Sequence, residues 1–184
     1  ARGIPVCIAG GANHIAVAEL TLALMLCLIR QVSQAHAELR RGQWLPHLGS
    51  ELAGKTLGLV GLGRIGKAVA QRARAFEMEV IAYDPILTKI KADALGVELV
   101  SLDEVIERSD FITIHAPKSD KTNNMIRKEH LERMKPTCRI VNCARGGIIN
   151  EADLAEALRA KRIAGAALDV YTSEPFENNP FIGL

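Results

Sequence analysis

The chain has 184 residues, enough for one good hydrophobic core, and 48% of them are hydrophobic. Its 23 Lys+Arg against 21 Asp+Glu include no block of five like charges, so no electrostatic grip on nucleic acid or anionic lipid is indicated and a small-molecule ligand is expected. Cys7, Cys27, Cys138 and Cys143 form no CxxC pair, which argues against a disulfide framework or a thiolate metal site and suits a reducing cytoplasm.

In chain order, residues 4–8 read as a short strand and residues 14–41 as a helix that breaks at Gly42, with Pro46 beyond. Inside that helix, residues 15–29 are the most apolar stretch, ending in Leu22-Ala23-Leu24-Met25-Leu26-Cys27-Leu28-Ile29. A membrane span needs about 20 apolar residues. This stretch is shorter, contains Glu19 and Thr21, and lacks the basic start and cleavage site of a signal peptide, so it reads as a buried helix. Covering a helix that is apolar on nearly every side calls for a second subunit, and a homodimer or homotetramer through this region is expected.

Strands are predicted over 56–60, 79–83, 97–100, 111–115, 138–143 and 163–168, with helices over 65–76, 88–95, 101–108, 127–134 and 151–160. Ser101-Leu102-Asp103-Glu104 and Asn150-Glu151-Ala152-Asp153 each place a capping side chain ahead of acids in a first helical turn. Cys138 and Cys143, an odd number of residues apart on one predicted strand, should face opposite sides. The alternation predicts an α/β fold with a doubly wound, mostly parallel sheet. Residues 1–184 are expected to form one domain, whose first 50 residues hold an interdomain segment and the interface helix.

The most informative segment joins the second predicted strand to the next helix. Leu57-Gly58-Leu59-Val60 runs into Gly61-Leu62-Gly63-Arg64-Ile65-Gly66, and Asp84 follows eighteen positions after the last glycine. Gly61 lets the chain turn out of the strand, Gly63 lets backbone amides approach a pyrophosphate, and Gly66 lets the helix pack close to the sheet. Asp84 ends the next apolar run, where a carboxylate accepts hydrogen bonds from both adenosine ribose hydroxyls and repels a 2′-phosphate, so NAD is favoured over NADP.

In such sheets ligands bind beyond the carboxyl ends of the strands. Those positions hold Gly61 to Ile65, Asp84 and Pro85, His115-Ala116-Pro117, Cys143-Ala144-Arg145-Gly146-Gly147, and Asp169. Arg145, on a glycine-supported turn, presents a planar fork suited to a carboxylate. For Asp169 the alternative reading is a capping acid, and for Glu174 a solvated loop charge. The five histidines form no i, i+4 pair with an acid between them, which argues against a metal hydrolase.

Gly61-Leu62-Gly63-Arg64-Ile65-Gly66, Asn142-Cys143-Ala144-Arg145-Gly146-Gly147, Ala166-Ala167-Leu168-Asp169-Val170 and Ser173-Glu174-Pro175 resemble the successive motifs of the D-isomer-specific 2-hydroxyacid dehydrogenases, in order and spacing. The likeness is greatest to the branch that oxidises 3-phosphoglycerate in serine synthesis. The resemblance implies that Arg145 binds the substrate's carboxylate and carbonyl and that Glu174 hydrogen-bonds a catalytic histidine and raises its pKa. It places Arg64 and Ile65 at the pyrophosphate, Asp84 at the ribose, Ala116 and Pro117 on the adenine side, and Cys143, Ala144 and Asp169 at the nicotinamide end. Asn13 matches a polar substrate-binding position at the domain junction. The rival readings are a dehydrogenase for another 2-hydroxy acid and a corepressor-like module that uses NAD to drive assembly.

The sequence also departs from the family's pattern. The family's catalytic histidine follows the Ser-Glu-Pro turn by some eighteen residues and its substrate domain precedes this segment, so the chain is expected to be the nucleotide domain of a longer enzyme, able to bind NAD but not to turn over. Pro46-His47-Leu48-Gly49-Ser50 reads like the missing histidine motif but precedes the nucleotide strand, and is taken as a chance look-alike. His115 is read as a cofactor-pocket or structural residue. Glu77 stands where the family has a helix-ending glycine, so that cap should be strained.

Overall fold

A computed structural model of the chain describes Cys7, residues 10–175 and residues 178–184, and the strand expected over 4–8 falls outside the described residues except for Cys7. One parallel sheet is formed by β1 (Thr56–Val60), β2 (Glu79–Tyr83), β3 (Glu98–Leu99), β4 (Phe111–Ile114), β5 (Arg139–Asn142) and β6 (Gly165–Leu168), in the order β3-β2-β1-β4-β5-β6. Val60 pairs with Tyr83 on one side and Ile114 on the other, Ile114 with Asn142, and Asn142 with Leu168. The strands therefore end level, and the residues just past them share one edge. Strand order reverses between β1 and β4, which puts the crevice of a doubly wound sheet there.

Seven helices are described: α1 (His14–Arg30), α2 (Val32–Arg40), α3 (Arg64–Ala75), α4 (Lys89–Asp93), α5 (Leu102–Arg108), α6 (Lys128–Leu131) and α7 (Glu151–Arg159). Strand alternation sorts the core into two layers. Leu57, Leu59, Phe111, Val141 and Cys143 pack with α1 and α3, whereas Val60, Ile112, Ile114, Ile140 and Cys138 pack with α5 and α7. The two cysteines thus lie on opposite faces, as expected. Both predicted caps form: Ser101 and Glu104 make a reciprocal capping box, and Asn150 accepts from the Asp153 N–H.

The helix expected over 14–41 is two helices. Gln31 adopts φ 53°, and α1 and α2 meet at 64°. To continue, the helix would need the Ile29 carbonyl to accept from Ser33, four residues on, but the Ser50 N–H takes that carbonyl at 3.2 Å. The returning chain is also tied down by a bond between His47 Nε2 and Glu38. On α1, Ala18, Leu22, Met25 and Ile29 are buried, while Ile15 and Leu20 stay 41% and 37% exposed, so one domain covers only part of its apolar surface. No single described helix is long and apolar enough to cross a membrane. Glu77 does take a positive φ of 60° just past α3, the strained cap its position foretold.

Gly58, in the middle of β1, has a role its position did not reveal. A Cβ there would stand 2.1 Å from Ser109 Oγ and 2.8 Å from Val105 Cγ1, so its absence lets the end of α5 close onto the sheet. Gly58→Ala is expected to lower unfolding stability by about 1–3 kcal/mol through overpacking. Denaturant melts will show this as a lower midpoint at constant slope, and an unchanged midpoint would contradict so tight a contact.

Candidate active-site cleft

The turn after β1 is built by close approach. Gly61 sits at φ +99°, donates its N–H to the Tyr83 carbonyl, and abuts the backbone of His115, where a Cβ would come within 2.9 Å of the carbonyl carbon and oxygen. A Cβ on Gly66 would lie 2.2 Å from the Gly61 carbonyl oxygen, so α3 begins as close to the strand as backbone allows. Gly63, the N-cap of α3, differs: its φ of −73° suits any residue and nothing lies within 4 Å of where its Cβ would be. The opening N–H groups of α3 lack helical partners and face that open space with the positive end of the helix dipole. Arg64, expected at the pyrophosphate, offers its backbone N–H there, while its guanidinium lies beside Gly10, with Nη1 3.0 Å from where a Gly10 Cβ would stand. Ile65, the next residue of that first turn, is partly buried against the core.

Asp84 stands at the end of β2 as expected, but it already serves the protein. Its Oδ2 accepts from the Leu62 N–H at 2.8 Å, and its Oδ1 accepts from Ile86 N–H at 2.9 Å and Leu87 N–H at 3.0 Å. Burial alone would raise its pKa; the three N–H donors and the nearby Lys67 together outweigh that and hold the carboxyl below its usual range. With three of roughly four acceptor sites filled, an acceptor site on Oδ2 remains open. Pro85 follows, exposed.

At the end of β4 the His115 N–H bonds the Val60 carbonyl at 2.8 Å and its Nε2 lies 3.1 Å from Thr113 Oγ1. The residue is partly buried, but its Nδ1 is fully buried with no partner, and burial pushes its pKa down to about 4, so the ring is neutral at pH 7. Ala116 and Pro117 follow, and the Pro117 carbonyl accepts from the Thr122 hydroxyl at 2.7 Å.

The end of β5 is organised by Asn142, a buried residue not picked out for this role from the sequence. Its Oδ1 accepts from the Ala144 N–H and its Nδ2 donates to the Arg145 carbonyl, both at 3.0 Å. This staple sets the Cys143-Ala144-Arg145 turn. Arg145 then donates Nη1 to the Ala144 carbonyl at 2.7 Å and leaves its other donors exposed. Burial, with a smaller push from the Asp169 carboxylate, raises the Cys143 thiol pKa against the Thr21 hydroxyl, which lowers it, and so disfavours the thiolate.

Lys118, Arg145, Gly146, Tyr171, Thr172 and Glu174 line one cavity of about 320 Å³. Glu174 accepts from the Tyr171 N–H at 2.8 Å, and the loop is held to α7 by Glu151, which accepts from the Thr172 N–H at 2.6 Å and hydroxyl at 2.8 Å. The structure thus brings Arg145 and Glu174 together, with Lys118 beside them; Lys118 and Glu151 carried no local sequence signal beyond lying past a strand and opening a helix. Asn13 occupies the N-cap position of α1, makes no capping side-chain bond, and does not line this cavity. His47 pairs with Glu38 of α2, on the chain returning from that helix and not at a strand end, as the look-alike reading required.

An open Gly63, free amides at the start of α3, an ionised acid at β2 and an orphaned polar atom at the switch point all fit a dinucleotide. The model of the D-isomer specific 2-hydroxyacid dehydrogenase NAD binding domain matches residues 22–184. The chain is 50% identical to a D-3-phosphoglycerate dehydrogenase of Methanocaldococcus jannaschii, over 100% of this chain and 36% of that protein. It is 46% identical to that of Bacillus subtilis, over 98% of this chain and 35% of that one, so it spans about a third of these relatives' length. An NAD-dependent formate dehydrogenase from Staphylococcus aureus, solved in complex with NAD, superimposes with a TM-score of 0.85 at 38% identity, covering 92% of this chain and 52% of that one. The chain belongs to the D-isomer-specific 2-hydroxyacid dehydrogenases, and it is their NAD-binding domain that it carries.

Proposed function

We propose that this domain serves an enzyme oxidising 3-phosphoglycerate to 3-phosphohydroxypyruvate in serine synthesis. The carrying observation is that Arg145, on a turn fixed by Asn142, shares a cavity with Glu174 at the strand ends beyond the glycine turn. The relatives named above as D-3-phosphoglycerate dehydrogenases support the choice of substrate. NAD, when bound, supplies the hydride acceptor. Arg145, one donor spent on the Ala144 carbonyl, offers the rest to the substrate's carboxylate and C2 oxygen and so orients C2. As the hydride leaves C2, the C2 hydroxyl proton passes to a base. Glu174 has an oxygen free of the Tyr171 N–H to hold a protonated imidazole. Among the described residues none of the five histidines bonds Glu174, so that imidazole comes from the rest of the enzyme. Asp84 receives an adenosine ribose hydroxyl, and Asn13, which lies outside the Arg145–Glu174 cavity, is given to the substrate at the domain junction on the family resemblance alone.

In the complete enzyme, Arg145→Ala is expected to lower kcat/KM for 3-phosphoglycerate by about 10- to 150-fold, the worth of a charged hydrogen-bonded contact, with NADH affinity unchanged within about threefold. Undiminished turnover would contradict the role. The 184-residue chain alone is expected to bind NADH and show background turnover.

Self-association is the second part of the proposal. Leu20 of α1 stays exposed, and Leu24 and Leu28, further along the same face of the helix, line an open cavity of about 670 Å³ along the β6 edge with Leu168 and Phe181. A second copy covering this surface would bury it. The four unpaired cysteines fit a reducing cytoplasm. Sedimentation should return a dimer or tetramer mass for the parent and monomers or aggregates for Leu24→Asp, whereas a compact monomeric parent at high concentration would contradict the interface.

A further inference from the structure

We infer that His115 binds the nicotinamide half of the dinucleotide through its Nδ1–H, an inference that rests on the NAD-dependent reading above. His115 is the first residue past β4, at the reversal of strand order, with its N–H on the Val60 carbonyl of β1. Alternation along β4 puts its side chain on the face of Phe111 and Thr113. Thr113 is fully buried, and among the described residues its hydroxyl has one bond, to His115 Nε2. A buried hydroxyl satisfies its proton only by donating it, so Thr113 donates to Nε2 and the neutral ring carries its hydrogen on Nδ1. That donor is buried with nothing to receive it. Such orphans are rare in folded proteins, and one at a ligand crevice signals an acceptor that arrives with the ligand. The ring has no escape by charging, because burial keeps it neutral.

Position selects which part of the ligand supplies the acceptor. Asp84, at the end of β2, marks the adenosine ribose, and β4 lies two strands along, roughly 10 Å away at ordinary strand spacing. On its far side stands β5, which ends in the turn carrying Arg145. A dinucleotide laid from Asp84 across the glycine turn therefore brings its second ribose and its amide to His115. The acceptor is an oxygen of that half, a ribose hydroxyl or the carboxamide.

The test uses the purified chain, NADH fluorescence, and calorimetry with AMP, which lacks the nicotinamide half. His115→Gln places its amide near Nε2 and empties the Nδ1 position; His115→Asn keeps a donor near Nδ1. His115→Gln is expected to weaken NADH about tenfold and leave AMP within about twofold, whereas His115→Asn stays within about threefold of the parent for both. A glutamine variant that binds NADH like the parent, parallel losses for NADH and AMP, or an asparagine variant as weak as the glutamine one would overturn the contact. Should either variant fail to fold, 15N-histidine NMR of the parent decides: the His115 Nδ1–H resonance must shift with NADH and not with AMP, and an unmoved resonance overturns the inference. A parent that binds AMP and not NADH, or neither, would sink the NAD-dependent reading itself and this contact with it.

Discussion

The close approach of α3 to the end of β1 is the constraint on which the rest depends. Because the Gly66 Cα sits almost against the Gly61 carbonyl, and Gly61 in turn against the His115 backbone, three elements meet without a side chain between them. That contact aims the first amides of α3 into the crevice and brings the Leu62 N–H to Asp84. It also fixes where β4 ends relative to β1, and through the β4–β5 register, where Arg145 stands. A dinucleotide site and a carboxylate-binding arginine are thus placed by one piece of backbone packing.

What lies beyond the strand ends is held differently. These loops send Ile126, Cys143, Ala144, Ile148 and Ile149 into the core, and their polar parts are tied by side chain to backbone bonds: Asp84 to three N–H groups, Asn142 across the Arg145 turn, Thr122 to Pro117, Glu151 to Thr172. Each such bond adds about 1 kcal/mol, but breaking a buried one strands the groups left behind and costs more. Asn142 matters most in this respect, since it is buried and satisfies both an N–H and a carbonyl. The polar staples leave the Arg145 guanidinium and Glu174 exposed to a substrate while their backbones stay fixed.

Much of this was legible in the sequence because it is local. Strand alternation, the two helix caps and the glycine turn all follow from residues within a few positions of one another, and the strain at Glu77 followed from the family's glycine at that place. What was missed depends on partners far along the chain. The break at Gln31 arises because Ser50, twenty-one residues after Ile29, takes a helical carbonyl. Gly58 is small because of Ser109, and the Arg64 guanidinium lies against Gly10, more than fifty residues back along the chain. Asp84 does stand at the end of β2, yet its carboxylate is largely occupied by its own loop, which spacing cannot reveal.

Gly63 gives the most direct test of the central claim that this turn exists to receive a pyrophosphate. Its backbone conformation suits any residue and the space around it is open, so nothing in the protein itself requires a glycine there. The measurement is NADH affinity of Gly63→Ala beside its unfolding midpoint. If the open space belongs to the cofactor, the midpoint holds and NADH binding falls at least about tenfold, because the added methyl stands where the backbone and phosphate must meet. Unchanged NADH affinity in a stably folded variant would show that the pyrophosphate does not lie on this turn.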